Sequence, residues 1–149
     1  MAHYFTEDNK ISILTTVAEG AAAQTTITSD ALNMAGFDSA CFIVPVGPVT
    51  AGAVTTMKLQ QSDDDGSSDA YSDVLGTSIT IADSDDNKLK YLDVYRPGKQ
   101  YLKIVIARAT QDATVGGIFA VQYNASSLPV TQGTDVAGER HASAAEGTA

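Results

Sequence analysis

Residues 89–108 read LKYLDVYRPGKQYLKIVIAR, and this stretch decides the fold class. Apolar and polar side chains alternate on both sides of its centre, which is the period of a β-strand with one buried face. Valine, isoleucine and tyrosine, which favour strands, are frequent on both sides. The central Arg-Pro-Gly-Lys, at residues 96–99, is a turn sequence. The stretch therefore predicts two strands joined by a loop.

The same alternation recurs along the chain. Strands are predicted at residues 11–17, 24–29, 39–46, 54–61, 77–82, 89–95, 101–108 and 114–123. Turn residues separate them, and a helix of one or two turns is predicted only at residues 29–34, where Ser29 or Asp30 can serve as the N-cap. About eight short strands at this spacing indicate an all-β fold, an antiparallel β-sandwich or jelly roll.

The 89–108 stretch also predicts how its two strands pair. Paired residues of a hairpin project to the same side of the sheet, so the apolar side chains of both strands should share a face. A five-residue loop, at residues 96–100, achieves this. The predicted pairs are Val94 with Leu102, Leu92 with Ile104, Tyr95 with Tyr101, and Asp93 with Lys103.

We predict one domain with an arm at each end. The 149 residues are enough to bury a core without a disulfide. The arms are extended: an N-terminal arm at residues 1–10 and a C-terminal tail at 126–149 flank a β-sandwich domain at 11–125. Small and polar residues dominate the tail, so we expect a neighbouring subunit to hold it in place.

The last predicted strand is apolar on both faces. Phe119 and Val121 alternate with Ile118 and Ala120. Such a strand is either central and covered on both sides, or part of a subunit contact. The sequence leaves both alternatives open.

Charge is distributed unevenly along the chain. The net charge of −9 argues against a nucleic-acid partner, because phosphate binding needs clustered lysine and arginine. Residues 62–86 contain eight acids and no base, whereas residues 88–108 contain six of the nine bases. These charges either neutralise each other within one molecule or join neighbouring subunits head to tail.

The sequence shows no catalytic motif, and we expect no enzymatic activity and no cofactor. His3 and His141 lie near the termini without a nucleophile motif beside them. Cys41 lies in an apolar run, which predicts a structural thiol. The first residues lack the features of a secretory signal, and no apolar stretch approaches the ~18 residues of a membrane span. We therefore expect synthesis in the cytoplasm and no membrane partner.

Two binding alternatives follow from the residues. Asp63, Asp65, Asp83 and Asp85 are weak candidates for calcium ligands. Neither acidic segment matches an EF-hand, because Gln61 and Ser72 occupy ligand positions of the first and Lys88 replaces the turn glycine of the second. Tyrosines at positions 91, 95 and 101 keep a carbohydrate-binding module open, although the chain has no tryptophan.

Several stretches resemble the decoration or cement proteins of tailed bacteriophages. The resemblance is carried by LQQSDDDG at 59–66 with YSDV at 71–74, YLDVYRPGKQYL at 91–102, RATQDA at 108–113 and IFAVQY at 118–123. It implies a jelly-roll fold, assembly as dimers or trimers, and a place on the outer surface of the virion, bound to the major capsid protein. A tail or neck protein of low copy number is the nearest alternative.

On this interpretation the protein staples neighbouring capsid subunits together. No active-site residue is implied. The predicted interface residues are Tyr95, Arg96, Lys99, Tyr101, Lys103, Leu128 and Val130.

Overall fold

The computed structural model describes residues 4–16, 20–142 and 145–147. A short helix, α1 (Phe5–Asp8), precedes the strands, and a 3-10 helix spans Asp83–Asp85. The strands of the described part are β1 (Lys10–Thr15), β2 (Ile27–Thr28), β3 (Leu32–Asn33), β4 (Phe37–Val49), β5 (Val54–Ser62), β6 (Ser72–Asp73), β7 (Ile79–Ile81), β8 (Leu89–Tyr95), β9 (Tyr101–Ala109), β10 (Ala113–Val115) and β11 (Ile118–Ala125). No helix among these residues has the length and apolar character needed to cross a bilayer.

The strands form two antiparallel sheets. In the five-stranded sheet, β11 lies between β1 and β4, and β4 also pairs with β8 and β10. In the six-stranded sheet, β9 and β5 are central, with β2 and β3 beside β9 and with β6 and β7 beside β5. The predicted all-β antiparallel sandwich is therefore confirmed, with eleven strands in the described residues where about eight were predicted.

The core lies between the sheets and is filled by alternate residues of the central strands. Each fully buried aliphatic or aromatic side chain contributes roughly 1.5–3 kcal/mol relative to exposure. The largest of these side chains are Phe42, Val44, Val115 and Ile118 from the five-stranded sheet and Met57, Leu59, Ile81, Leu102, Ile104 and Ile106 from the six-stranded sheet. This packing fixes which face of every long strand points outward.

The predicted pairing of residues 89–95 with 101–108 is wrong. The left-handed Arg96, with φ of 47°, begins a loop that carries the chain from one sheet to the other. As a result β8 pairs with β4 over seven residues, and β9 pairs with β5 over nine. The apolar side chains of β8 and β9 still share the core, but they reach it from opposite sheets. The four predicted cross-strand pairs do not form.

Two further predictions need correction. Residues 29–34 contain β3 and no helix, because the backbone there pairs with β9, with Leu32 opposite Leu102. The last predicted strand is two strands, β10 and β11, separated at Gly116 and Gly117. Gly116 donates its N–H to the carbonyl of Pro45, and a Cβ there would lie 3.1 Å from the Pro45 side chain. The close approach of these two segments of the backbone therefore interrupts the strand.

Candidate functional site

The outward face of the five-stranded sheet is mostly apolar. Register places its side chains in three rows that run across the strands. The first row is Ile13, Phe119, Ile43 and Tyr91; the second is Ile11, Val121, Cys41 and Asp93; the third is Tyr123, Ser39 and Tyr95. We call these eleven residues the apolar face.

Only one residue of the apolar face carries a charge at neutral pH. The carboxylate of Asp93 accepts a hydrogen bond of 2.7 Å from the Tyr123 hydroxyl, and this bond raises the pKa of Tyr123. Burial, together with the nearby Asp93, raises the pKa of the Cys41 thiol. Cys41 therefore stays protonated and acts as a small apolar side chain, as predicted for a structural thiol.

The apolar face is most exposed at its β8 end. Tyr91 and Tyr95 are 66% and 65% exposed, and Leu89 on the same strand is similarly open. The side chains of β1, β4 and β11 on this face are half-buried by their neighbours, apart from the buried Ser39. Contiguous apolar surface of this kind is typical of a site that contacts another molecule.

The six-stranded sheet presents a different outward face. Lys58 forms an ion pair of 2.7 Å with Asp73, which also accepts a hydrogen bond from Gln60. The ammonium group of Lys103 lies 3.5 Å from the centre of the Tyr71 ring, a cation–π contact. The polar groups of such a surface are satisfied by water and by contacts within the molecule.

A groove runs beside β8, between the edges of the two sheets. Its volume is about 400 Å³, and Leu59, Val74, Ile79, Leu92 and Val94 supply its apolar lining. Leu75, in the segment that lines it, is 99% exposed. The groove and this leucine extend the apolar surface beyond the face of the sheet.

The structure separates the residues that the sequence predicted as one interface. Tyr95 lies on the apolar face, with Arg96 5.2 Å from the centre of its ring. Tyr101 and Lys103 lie on the other sheet, so the predicted surface shared by Tyr95 and Tyr101 does not exist. Lys99 pairs with Asp69 and Asp63. An interface role for these residues stays a prediction.

The described part of the tail packs against its own chain. Val130 is buried and donates its N–H to the Glu7 carbonyl at 2.7 Å, whereas Leu128 is exposed. The Gln132 amide donates to the carbonyls of Thr6 and Asn9 and accepts from the Ile11 N–H. These bonds hold the tail against α1 and the start of β1. The division into arm, domain and tail remains a prediction.

Several residues of the acidic segments form ion pairs within the molecule. Asp85 pairs with Lys90 at 2.6 Å and with Lys88 at 3.2 Å, and these partners hold its pKa far below the usual range. Asp63 pairs with Lys99 at 3.4 Å, Asp65 accepts a hydrogen bond from Tyr71, and Asp83 is exposed. Among the described residues no group of three or more acidic, histidine or cysteine side chains is arranged to hold a metal ion. His141 lies 3.0 Å from Glu139, and His3 lies outside the described residues.

Sequence reasoning missed most of the apolar face. It singled out β11 as apolar on both sides but did not apply the same test to β4, where residues 40–46 are almost continuously apolar. That run was the available signal, because a strand with no polar face needs cover on both sides. The exposure of Leu75 has no comparable signal, since an isolated leucine in a turn segment is not distinctive in sequence.

No protein-family model matches the chain, and no curated protein sequence matches it. Nine chains of solved structures resemble it. One is the C-terminal family 22 carbohydrate binding module of Clostridium thermocellum Xyn10B, studied for the role of conserved amino acids of its cleft in ligand binding. The two chains are 18% identical, the alignment covers 79% of this chain and 87% of that one, and the TM-score is 0.41. No residue role is carried over from that protein.

Proposed function

We propose that this protein is a structural assembly protein that binds another protein surface through the apolar face. The observation that carries the proposal is the contrast between the two sheets: one outward face is mostly apolar and aromatic, whereas the other mixes apolar residues such as Val54 and Val105 with ion pairs. Burying the apolar face against a partner removes it from water at roughly 25 cal/mol for each Å² of apolar surface. The proposed role is mechanical and has no catalytic step.

The proposed partner is the major capsid protein of a tailed bacteriophage, and the proposed location is the outer surface of the virion after synthesis in the host cytoplasm. This part rests on the sequence resemblance to decoration proteins alone. A lattice offers the same docking site many times, so an interface of modest area becomes strong when each copy bridges two subunits. Such stapling needs a contact region with few charges, and Asp93 is the one charged residue of the apolar face.

A second candidate function is carbohydrate binding at the β8 end of the apolar face. Tyr91 and Tyr95 project from the same side of one strand, about 13 Å apart at the rise of a β-strand. Exposed aromatic rings stack on the apolar faces of sugars, and Asp93 between them supplies a hydrogen-bond acceptor. This function needs only the isolated domain and no lattice.

The deciding experiment counts copies bound to capsid shells that lack the protein, using the wild type and two matched variants. Phe119→Lys places a charge at the centre of the apolar face, and we expect it to weaken shell binding by about 100-fold. Val105→Lys changes a half-buried residue of β9 that faces outward from the other sheet, and should bind within about twofold of the wild type. Both variants should keep the wild-type circular dichroism spectrum.

Three outcomes separate the candidates. Saturation at a simple ratio to the capsid subunit, with loss only in Phe119→Lys, supports stapling. A few copies per particle would move the protein to the neck or tail. Absence of shell binding, combined with glycan-array binding that Tyr91→Ala with Tyr95→Ala abolishes, would replace the assembly role by carbohydrate binding.

A further inference from the structure

Strand β8 has one unused edge. Its even-numbered residues bond to β4, as shown at both ends by the 2.8 Å bonds from Arg96 N–H to the Asp38 carbonyl and from Val46 N–H to the Lys88 carbonyl. In an antiparallel strand the alternate residues direct their N–H and C=O groups to the opposite edge. Those residues are Leu89, Tyr91, Asp93 and Tyr95. No strand of the described chain pairs with that edge.

The other edges of the sandwich are short or covered. At the edge of β1, Ile11 N–H donates to the Gln132 side chain and the Leu14 carbonyl accepts from Asp30. The edge strands of the six-stranded sheet, β2, β3, β6 and β7, have two or three residues each. Proteins usually protect long sheet edges, because an open edge pairs with another chain. The seven-residue β8 is the exception among the described strands.

We propose that a second copy of this chain pairs with β8, antiparallel and edge to edge, about a two-fold axis at Leu92. This inference stands whether or not the apolar face binds a capsid. In this register every residue of β8 has a partner. Leu89 lies opposite the partner's Tyr95, Lys90 opposite the partner's Val94, and Tyr91 opposite the partner's Asp93.

Charge restricts a second copy to a neutral contact and selects this register. The chain carries −9, so two copies repel each other over most of their surfaces. Strand β8 contains one cation, Lys90, and one anion, Asp93, and is locally neutral. The neighbouring register about Asp93 sets two carboxylates against each other, which destabilises a strand pair. The register about Leu92 avoids this contact.

Pairing also covers exposed apolar side chains of β8, because Leu89, 63% exposed, lies opposite the partner's Tyr95, 65% exposed. On the inward side Leu92 lies opposite the partner's Leu92, and Val94 lies opposite the aliphatic stem of the partner's Lys90. The two five-stranded sheets join into one continuous sheet, so both apolar faces lie on the same side of the dimer. A dimer of this shape presents a broad surface with two equivalent halves.

Sedimentation equilibrium of the full chain tests the proposal with two variants at one exposed position. Tyr91→Asp sets two carboxylates opposite each other in both halves of the dimer, and we expect its dissociation constant to rise at least tenfold. Tyr91→Lys puts a cation opposite the partner's Asp93 and should keep the dissociation constant within about threefold of the wild type. Thr80→Asp, on the exposed side of β7, is the control and should have no effect.

A cysteine experiment tests the register. In a Cys41→Ala background, Leu89→Cys with Tyr95→Cys should give a dimer with two intermolecular disulfides on mild oxidation. These positions lie about 20 Å apart along one strand, too far for a bridge within one chain. Leu89→Cys with Asp93→Cys is the matched control, because in this register neither cysteine lies opposite a cysteine of the partner. This pair should stay largely uncrosslinked.

Several results would overturn the proposal. These are a wild type that stays monomeric up to ~1 mM, a Tyr91→Asp variant that dimerises like the wild type, and equal crosslinking of the two cysteine pairs. If the β8 amides gain exchange protection only on capsid shells, a strand of the lattice occupies the edge and the second copy does not. Neither Phe119→Lys nor Val105→Lys should change the dimer, which distinguishes failure here from failure of the assembly role.

Discussion

The two sheets of this sandwich bury similar side chains between them and differ in what they present outward. In the five-stranded sheet, Phe119 and Ile43 lie side by side on the outside. In the six-stranded sheet, Lys58 lies beside Val105. The shared core explains why the chain folds as a sandwich, but it does not require an apolar outer face. The outward residues therefore carry the information about function.

The largest effect is expected at Arg108, a cation of the six-stranded sheet whose side chain points inward. Arg108 is 3% exposed and donates hydrogen bonds to the carbonyls of Thr25, Ala21 and Ala113 and to the Thr25 hydroxyl. Burial lowers the pKa of Arg108, but a guanidinium keeps its charge in proteins. It thereby fastens the loop after residue 20 to β10 of the other sheet.

Arg108→Met removes the guanidinium donors from these carbonyl groups, and we expect it to lower the free energy of unfolding by about 3 kcal/mol. Urea denaturation measures the difference. Arg96→Met is the control, since Arg96 is exposed and its nearest carboxylate, Asp38, lies 3.8 Å away; it should change stability by less than about 0.5 kcal/mol. Equal losses of unfolding free energy in the two variants would mean that the buried Arg108 contributes no more to stability than the exposed Arg96.

Arg108 also shows what sequence reasoning can and cannot reach. Alternation identified β4, β5, β8 and β9 as strands, because a buried face imposes a period of two wherever the strand lies. The same period places position 108 inward but gives no reason for an arginine there. The partners of Arg108 are backbone carbonyls up to 87 positions away, and such contacts leave no local pattern.

The pairing of β8 failed for a related reason. A five-residue loop suits a hairpin and a crossing between sheets equally well. The outcome depends on the pairing that other strands offer: β4 pairs with β8 over seven residues, and β5 pairs with β9 over nine. That competition involves strands far apart in sequence. The apolar face was within reach through two signals, the apolar faces of β11 and the continuous apolar run of β4.

A smaller effect is expected in acid, where the six-stranded side of the sandwich should lose stability before the five-stranded side. Lys99 holds the pKa of Asp69 below its usual value, and Lys58 with Gln60 does the same for Asp73. A lowered folded-state pKa stabilises the protein above the unfolded value of about 4, and this stabilisation is lost as pH falls toward the folded-state value. The free energy of unfolding should therefore decrease below about pH 4.

Amide exchange at pH 3 would show where this loss occurs. We expect protection to fall first in β5 to β7 and in the 62–69 segment, and later in β11 and β1, whose residues on the apolar face include no carboxylate. Lys99→Met should flatten the acid dependence, while Lys10→Met, on the edge strand β1, should leave it unchanged. Simultaneous loss of protection in β5 to β7 and in β11 and β1 would contradict the assignment of the Asp69 and Asp73 ion pairs to the six-stranded side.

The smallest effect concerns the one charged contact of the apolar face. The hydrogen bond to Asp93 raises the pKa of Tyr123, so the folded chain holds the phenol proton more tightly than the unfolded chain does. This contribution is complete below the unfolded tyrosine pKa of about 10 and disappears as pH rises through the folded-state value. Tyr123→Phe should lose roughly 1 kcal/mol at pH 7, and progressively less as pH rises through the folded-state pKa, relative to the wild type. Thermal melts from pH 7 upward measure the difference, and a loss that stays constant with pH would show that Tyr123 acts through packing alone.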